Sequence, residues 1–314
     1  MNIVYACNDS YIPQTGISII SVCENNKDVD NLAFYFLSDH VSDGNIMLLR
    51  RIVSGYGREL VVIPFSDIAY DLNISSIGRH IATIYAKVFF SRIDGLDRAI
   101  YLDSDIIVAG SLQQLWEMDL EECYMGAVQT FCDIKSALGL SPSYPFFNDG
   151  MAIVNVGYCR KNDLIEKVKQ IISNYNGAPP VLSEGALNVA CQGHVKYISP
   201  RYNLMAGILY FYHLNKDYLF SRLDAYAPED ITESCEHPVC IHYLTAFYNR
   251  PWFTPCKHPY KEQYFKYQRL SPWKDKKPIF RRLPLRTRMI DICFKIFGVK
   301  YTNIIRKAFA KKGK

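Results

Sequence analysis

No apolar stretch in this 314-residue sequence approaches the ~18 residues a spanning helix needs, so no transmembrane helix is expected. The opening Met1-Asn-Ile-Val-Tyr-Ala-Cys7 lacks the basic start and apolar run of a signal peptide and reads as a strand. The ten cysteines are spread through apolar stretches and include no C-x-x-C pair. They are too sparse for a disulfide scaffold, which makes reducing cytosol the expected compartment. Internal repeats and low-complexity tracts are absent. There is no G-x-x-x-x-G-K-[ST] loop and no G-x-G-x-x-G after the first strand, which disfavours P-loop NTPases and ordinary dinucleotide dehydrogenases. The G-x-S-x-G elbow of an α/β-hydrolase is missing as well.

What is present describes a globular chain. Hydrophobic residues make up 49% and charged residues 21%, which excludes disorder as the main state. The 23 tyrosines suit a surface that binds flat or polyhydroxylated ligands, although tyrosine also fills cores. The net charge of +5 is uneven: the segment from Lys274 to Lys314 carries +12, leaving −7 for the remainder. An acidic body with a basic tail is a two-part molecule, divided here into residues 1–255 and 256–314. Prolines 251, 255, 259, 272 and 278 mark the irregular exit from the body.

Short β-branched or aromatic runs predict strands at Asn2–Ala6, Leu32–Leu37, Glu59–Ile63, Ala99–Leu102, Cys123–Val128, Met151–Val156, Val195–Ile198 and Val239–Tyr243. Helical patterns fall at Gly16–Glu24, Asp43–Ser54, Ile81–Arg92, Asp163–Asn174 and Ser183–Gln192. Asp163 is expected to cap its helix, and Ser111 with Gln114 reads as a capping box. The alternation predicts an α/β sheet covered by helices, with the ligand crevice at the carboxyl ends of the strands.

The strongest chemical signal is Ala99-Ile-Tyr-Leu-Asp-Ser-Asp-Ile-Ile-Val108. A hydrophobic strand runs into Asp103 and Asp105, which an extended chain points to one face. Two close carboxylates repel unless a cation or proton joins them. A hard divalent ion bound to a nucleotide diphosphate would satisfy both. The competing reading is a solvated strand end. His242, in another strand-like run, could complete the ligand set, and mixed carboxylate–imidazole ligation fits Mn²⁺ better than Mg²⁺. Judged alone, it could equally be a satisfied core histidine. Cys235, His237, Cys240 and His242, with Cys256 and His258 nearby, raise a zinc alternative, but their spacing matches no usual paired-ligand pattern.

Several segments taken together resemble glycosyltransferase family 8, especially its bacterial lipopolysaccharide galactosyltransferases and glucosyltransferases, with glycogenin a distant relative. They are Ile3 to Tyr11, Thr83 to Lys87, Tyr101-Leu-Asp-Ser-Asp105, Phe147-Asn-Asp-Gly150, Glu184 to Asn188, Arg201-Tyr-Asn203, and His242 through Arg250-Pro-Trp252. The resemblance implies a GT-A fold: a Rossmann-like nucleotide-sugar-binding α/β domain with a mixed sheet. It also implies a retaining transfer of hexose from a UDP-sugar, assisted by Mn²⁺. By position, Asp103, Asp105 and His242 correspond to metal ligands, with Ser104 between the acids in the donor-binding set. Ala6, Asn8 and Tyr11 resemble positions that hold uracil and ribose, with Tyr11 the stacking ring. Lys87 and Arg250 stand where basic residues meet the diphosphate, and Asn148, Asp149 and Gly150 match a loop lining the donor sugar.

Two departures bear on the donor. Ser183 and Glu184 stand where relatives usually carry Asp and Gln, and Asp149 replaces a small residue. Glu184 would lie under the anomeric carbon, as a nucleophile or an electrostatic stabiliser. It could also be an acid favoured by a helix N-terminus. The resemblance leaves open whether a covalent intermediate forms.

Within the tail, Arg281 to Lys314 mixes Lys and Arg with Leu285, Met289, Ile290, Ile292, Phe294, Ile296, Phe297, Ile304, Ile305 and Phe309. This reads as one or two basic amphipathic helices lying on the anionic inner face of a membrane, where a saccharide or lipid-linked acceptor resides. The protein is therefore expected to be cytoplasmic and peripheral. No base-stacking or groove-reading element points to nucleic acid.

Overall fold

A computed structural model describes residues 1–72 and 82–312, with side chains described to residue 302. Its centre is a seven-stranded sheet. The strands are β1 (Asn2–Asn8), β2 (Ala33–Asp39), β3 (Glu59–Pro64), β4 (Arg98–Leu102), β6 (Met125–Gln129), β7 (Phe147–Asn155) and β8 (Val195–Tyr197). Their order is β3-β2-β1-β4-β7-β6-β8. The first four are parallel, β7 runs antiparallel to both its neighbours, and β8 is parallel to β6. The expected mixed α/β sheet is therefore found, and all eight predicted strands have counterparts. A second sheet joins β5 (Ile106–Val108), β10 (Cys240–His242) and β9 (Leu204–Met205).

Alternation along the central strands builds two cores. Ile3, Tyr5, Ile100 and Leu102 face one core, with the helices Ile12–Asn25 and Asp43–Gly55. Val4, Ala6, Ala99 and Tyr101 face the other, beneath Leu164–Asn174 and Leu182–Ala190. A period of two in a strand buried on both sides requires this division.

Several local expectations are corrected. Asp163 does not cap with its side chain: it sits at φ 51°, and the helix begins at Leu164. Leu164, Val168 and Ile172 of its apolar stripe are nonetheless buried. Ser111 accepts from the amide of Gln113 at 3.2 Å, but Leu112 occupies the cap of the short helix Gln113–Trp116, so no box forms with Gln114. The stretch expected to be helical at Ile81–Arg92 runs as 3-10 turns from Ala82 to Arg92, and Ile81 lies outside the described residues. The expected loop at Asn148-Asp149-Gly150 belongs to β7, which begins at Phe147.

The tail docks on the body. Trp273 lies against Gly16, where a Cβ would stand 2.4 Å from its ring. Helix Leu285–Lys312 is interrupted at Gly298 (φ 75°, ψ 164°). Phe294 is buried against Tyr210, Phe211 and Phe247, and Tyr210 donates to Asp291 at 2.6 Å. Leu285, Met289, Ile292 and Ile296 are exposed. Ile304, Ile305 and Phe309 lie beyond the described side chains.

Candidate functional site

The two sheets meet where β4 ends. The Asp103 amide donates to the Gly150 carbonyl at 2.8 Å, which ties the end of β4 to β7. The chain turns through Ser104 and enters β5, which pairs antiparallel with β10 so that Ile106 opposes His242. The amide of Tyr243 donates to the Asp105 carbonyl at 2.9 Å. Three segments distant in sequence thus deliver Asp103, Asp105 and His242 to one point, and one ligand atom from each lies within 4.8 Å of the others.

The hydrogen-bond network sets the imidazole. Nδ1 of His242 lies 2.9 Å from Oδ1 of Asn203, whose own amide nitrogen donates to Oδ1 of Asn148 at 2.9 Å. An amide oxygen only accepts, so Nδ1 carries a hydrogen, and in the neutral imidazole Nε2 presents a lone pair. That lone pair points into the acids: Nε2 is 3.1 Å from Oδ1 of Asp105 and 3.8 Å from Oδ2 of Asp103. It is buried and makes no hydrogen bond. Two carboxylates and the Nε2 of a neutral imidazole converging on one point suit a cation. Gly150 completes the cradle, because a Cβ there would stand 2.5 Å from both Oδ2 of Asp103 and Cε1 of His242.

Burial raises the Asp103 carboxyl to about 6, against the opposing pull of Lys87. Burial would raise Asp105 too, but the charge and hydrogen bond of a protonated His242, with the Arg250 guanidinium, outweigh it and hold that carboxyl below its usual range while no ion is bound. Arg250 bonds Oδ2 of Asp105 at 2.7 Å, the Tyr243 carbonyl at 3.0 Å and the Tyr11 hydroxyl at 3.2 Å.

A cleft of about 280 Å³ opens beside the acids, lined among others by Ala6, Asn8, Tyr11, Ser104 and Arg250. The Ser104 hydroxyl is held by Thr15 at 2.8 Å. Further in, the Lys87 ammonium pairs with Oδ2 of Asp149 at 2.9 Å and lies 4.5 Å from the centre of the Tyr101 ring. The Tyr101 hydroxyl in turn donates to Asp103 at 2.7 Å. Ser183 donates to the same Oδ2 of Asp149 at 2.7 Å. Asn148 donates to Oε2 of Glu184 at 2.9 Å. Burial, reinforced by the Asp149 charge, raises the Glu184 carboxyl to about 8. Every sequence-predicted site residue therefore lies in one continuous region. Val181 and Leu182, just before Ser183, both adopt φ 53°, a strained conformation for bulky side chains at the turn that delivers Ser183 and Glu184.

Sequence reasoning missed Asn203 as the partner that orients His242, and Tyr101 as the link between Lys87 and Asp103. Asn203 lies within one of the family-like segments, but only its distance to His242 reveals its role. The zinc alternative finds no support: among the described residues, the only metal-competent group of three or more is Asp103, Asp105 and His242. His258 instead packs edge-on against Tyr243 and Tyr248, and burial pushes it down to about 3.

A family model described as Glycosyl transferase family 8 matches residues 2–255. A putative glycosyltransferase of Haemophilus influenzae is 27% identical over 210 residues, covering 65% of this chain and 63% of its own length. The lipopolysaccharide 1,2-glucosyltransferase of Escherichia coli K12 is 24% identical over 286 residues, covering 88% of this chain and 80% of its own. This chain spans only 63%, 62% and 63% of the first three curated relatives it matches. A crystal structure of the galactosyltransferase LgtC with donor and acceptor sugar analogues superposes with a TM-score of 0.70 at 23% identity, covering 92% of this chain and 99% of that one.

Proposed function

Because this chain belongs to glycosyltransferase family 8 and has the GT-A fold, we propose that it transfers a hexose, galactose or glucose, from UDP to a saccharide acceptor with retention of configuration. The acceptor belongs to a cell-surface glycan such as lipopolysaccharide or capsule, a reading supported by the Escherichia coli relative. The observation that carries the proposal is the convergence of Asp103, Asp105 and the buried Nε2 of His242, which lies 3.1 Å from Asp105 and has no hydrogen-bond partner among the described residues. Two carboxylates and a neutral imidazole so placed suit a cation, and Asp103, Asp105 and His242 would hold Mn²⁺. When bound, that ion neutralises charge on the diphosphate.

The chain's own residues then divide the work. Tyr11, Ala6 and Asn8 line the nucleotide end of the cleft. Arg250, fixed by Asp105 and the Tyr243 carbonyl, lines the cleft where it would stabilise the departing UDP, and Lys87, buried against Asp149, adds a second positive charge deeper in the site. Asn203 keeps the hydrogen of His242 on Nδ1, leaving Nε2 free to ligate. Glu184 sits on the sugar side, anchored by Asn148. Burial and the Asp149 charge raise its carboxyl to about 8 with no ion bound, which favours a hydrogen-bonding role at the anomeric centre over that of a nucleophilic carboxylate.

The division of labour extends to residues 1–255 as catalytic domain and 256–314 as membrane-associating segment. Among the described residues no helix is long and apolar enough to cross a membrane. The exposed row Leu285, Met289, Ile292 and Ile296, flanked by Arg286, Arg288 and Lys295, supports peripheral binding to an anionic inner face.

The test is UDP release from a panel of UDP-sugars, with and without Mn²⁺, by wild type and Asp103→Ala/Asp105→Ala protein. Slow Mn²⁺-dependent hydrolysis of one donor, lost in the variant, is expected. Release of pyrophosphate instead would make the protein a nucleotidyltransferase, and turnover unaffected by the double substitution would overturn the site.

A further inference from the structure

Between β7 and helix Leu182–Ala190, one carboxylate is held by one oxygen only. Asp149 is 7% exposed, and its Oδ2 accepts from both Lys87 (2.9 Å) and Ser183 (2.7 Å). Oδ1 has no partner among the described residues. Oδ1 is not itself fully buried, so it is the oxygen of this carboxylate left open to accept from a bound group.

The backbone explains why the side chain is aimed there. Between Ala127 and Val128 the pairing of β6 with β7 shifts: Ala127 opposes Ala152 whereas Val128 opposes Asn148. The extra residues of β7 bulge out of the ladder, and bulges beside a site re-aim side chains. Asn148 turns toward Glu184 and Asn203, while Asp149 turns toward Lys87 and Ser183. The buried Tyr85 hydroxyl, which has no hydrogen-bond partner among the described residues, lies within electrostatic reach of the Asp149 charge. The cluster thus keeps one free acceptor, Oδ1, beside a fixed charge, the kind of group that bonds a sugar hydroxyl. It adjoins the metal-competent group through Lys87, Tyr101 and Asp103.

We propose that Asp149 selects the donor sugar: Lys87 and Ser183 fix its Oδ2, and its Oδ1 accepts a hydrogen bond from one hydroxyl of the hexose. This rests on the UDP-hexose reading above. Lys87 and Ser183 are positioning residues for that carboxylate. The Ser183 hydroxyl is 2.7 Å from Asp149, so a carboxylate at position 183 would reach the same space if position 149 were cleared.

The test uses the preferred UDP-hexose and its monodeoxy analogues, one hydroxyl removed at a time, on the full chain with Mn²⁺. A site built to bond a hydroxyl discriminates strongly against the analogue lacking it. In wild type, loss of one particular hydroxyl is expected to lower kcat/KM by about 100-fold or more. In Asp149→Ala that penalty at that position shrinks to about threefold or less, while penalties at the other positions are unchanged. Asp149→Ala/Ser183→Asp restores the selective penalty, which a merely structural role for Asp149 would not produce. If Asp149→Ala lowers turnover of every donor by the same factor, the carboxylate only neutralises Lys87 and the proposal is overturned. The proposal fails equally if the double variant turns over but shows no selective penalty. Mn²⁺-dependent binding of UDP, which has no hexose, separates the two readings: its absence in wild type removes the UDP-hexose assignment itself.

Discussion

Gly150 and His242 approach so closely that a methyl group on the glycine would stand 2.5 Å from Cε1 of the imidazole. The same methyl would be 2.5 Å from Oδ2 of Asp103. The space between β7 and β10 is therefore reserved for the ligand atoms of the candidate metal site.

Gly150→Ala is expected to weaken Mn²⁺-dependent UDP binding by about tenfold or more, because the imidazole and the Asp103 carboxylate must both move. Overpacking should also lower stability by ~1–3 kcal/mol. Titration calorimetry with Mn²⁺ and UDP, beside thermal melts, reads both effects. Unchanged ion-dependent binding would remove the glycine from the site.

Asn203→Leu removes the acceptor that holds hydrogen on Nδ1 of His242. Loss of such an orienting partner typically costs about 10–100-fold in metal affinity, and a drop of that size is expected. UDP binding without metal should change little. The comparison is made by calorimetry with the ion titrated into a protein–UDP mixture.

Glu184 gives a signed pH dependence. Its carboxyl is raised to about 8 by burial first and by Asp149 second, so the folded protein holds this proton where the unfolded chain has released it. The stabilising contribution is fully present below the ordinary glutamate value and is lost as pH rises through about 8. Glu184→Gln cannot ionise. Its melting temperature should rise relative to wild type between about pH 5 and 9, by on the order of 5 °C. It should also retain UDP-hexose turnover within about tenfold at neutral pH. A covalent mechanism predicts abolished turnover instead.

The two faces of the tail helix should separate cleanly. Phe294→Ala empties a buried aromatic site against Tyr210, Phe211 and Phe247 and should cost ~3–5 kcal/mol. Replacing exposed Leu285, Met289, Ile292 and Ile296 with serine should leave the melting temperature within a few degrees. The same replacement should abolish sedimentation with anionic phospholipid vesicles. Retained vesicle binding would count against the membrane role of this row.

Chemistry and fold class were legible in the linear chain, and local conformation less so. Asp103 and Asp105 announced themselves because an apolar strand leads directly into them, and alternation along Asn2–Ala6 and Ala99–Leu102 encodes a sheet covered on both faces. The capping of Asp163 was misread: a residue's capping tendency is weak beside the backbone path that surrounding packing imposes, here φ 51°. The strand character of Asn148–Gly150 was also missed. Its polar residues look like a loop until β4 and β6 are seen on either side.

By itself, the sequence determined which side chains are available and the periodicity that places them on one face or another. Those depend on neighbours a few residues apart, and they point to a helix-covered α/β sheet with paired acids at a strand end and a basic tail; a nucleotide-sugar donor comes only from the resemblance to glycosyltransferase family 8. Only the tertiary structure decided that His242 meets the acids from 137 residues beyond Asp105, that Asn203 sets its tautomer, and that Asp149 is gripped by one oxygen alone. Those relations follow from strand pairing and a bulge. Pairing energies are shared among segments far apart in the chain, so no local pattern carries them.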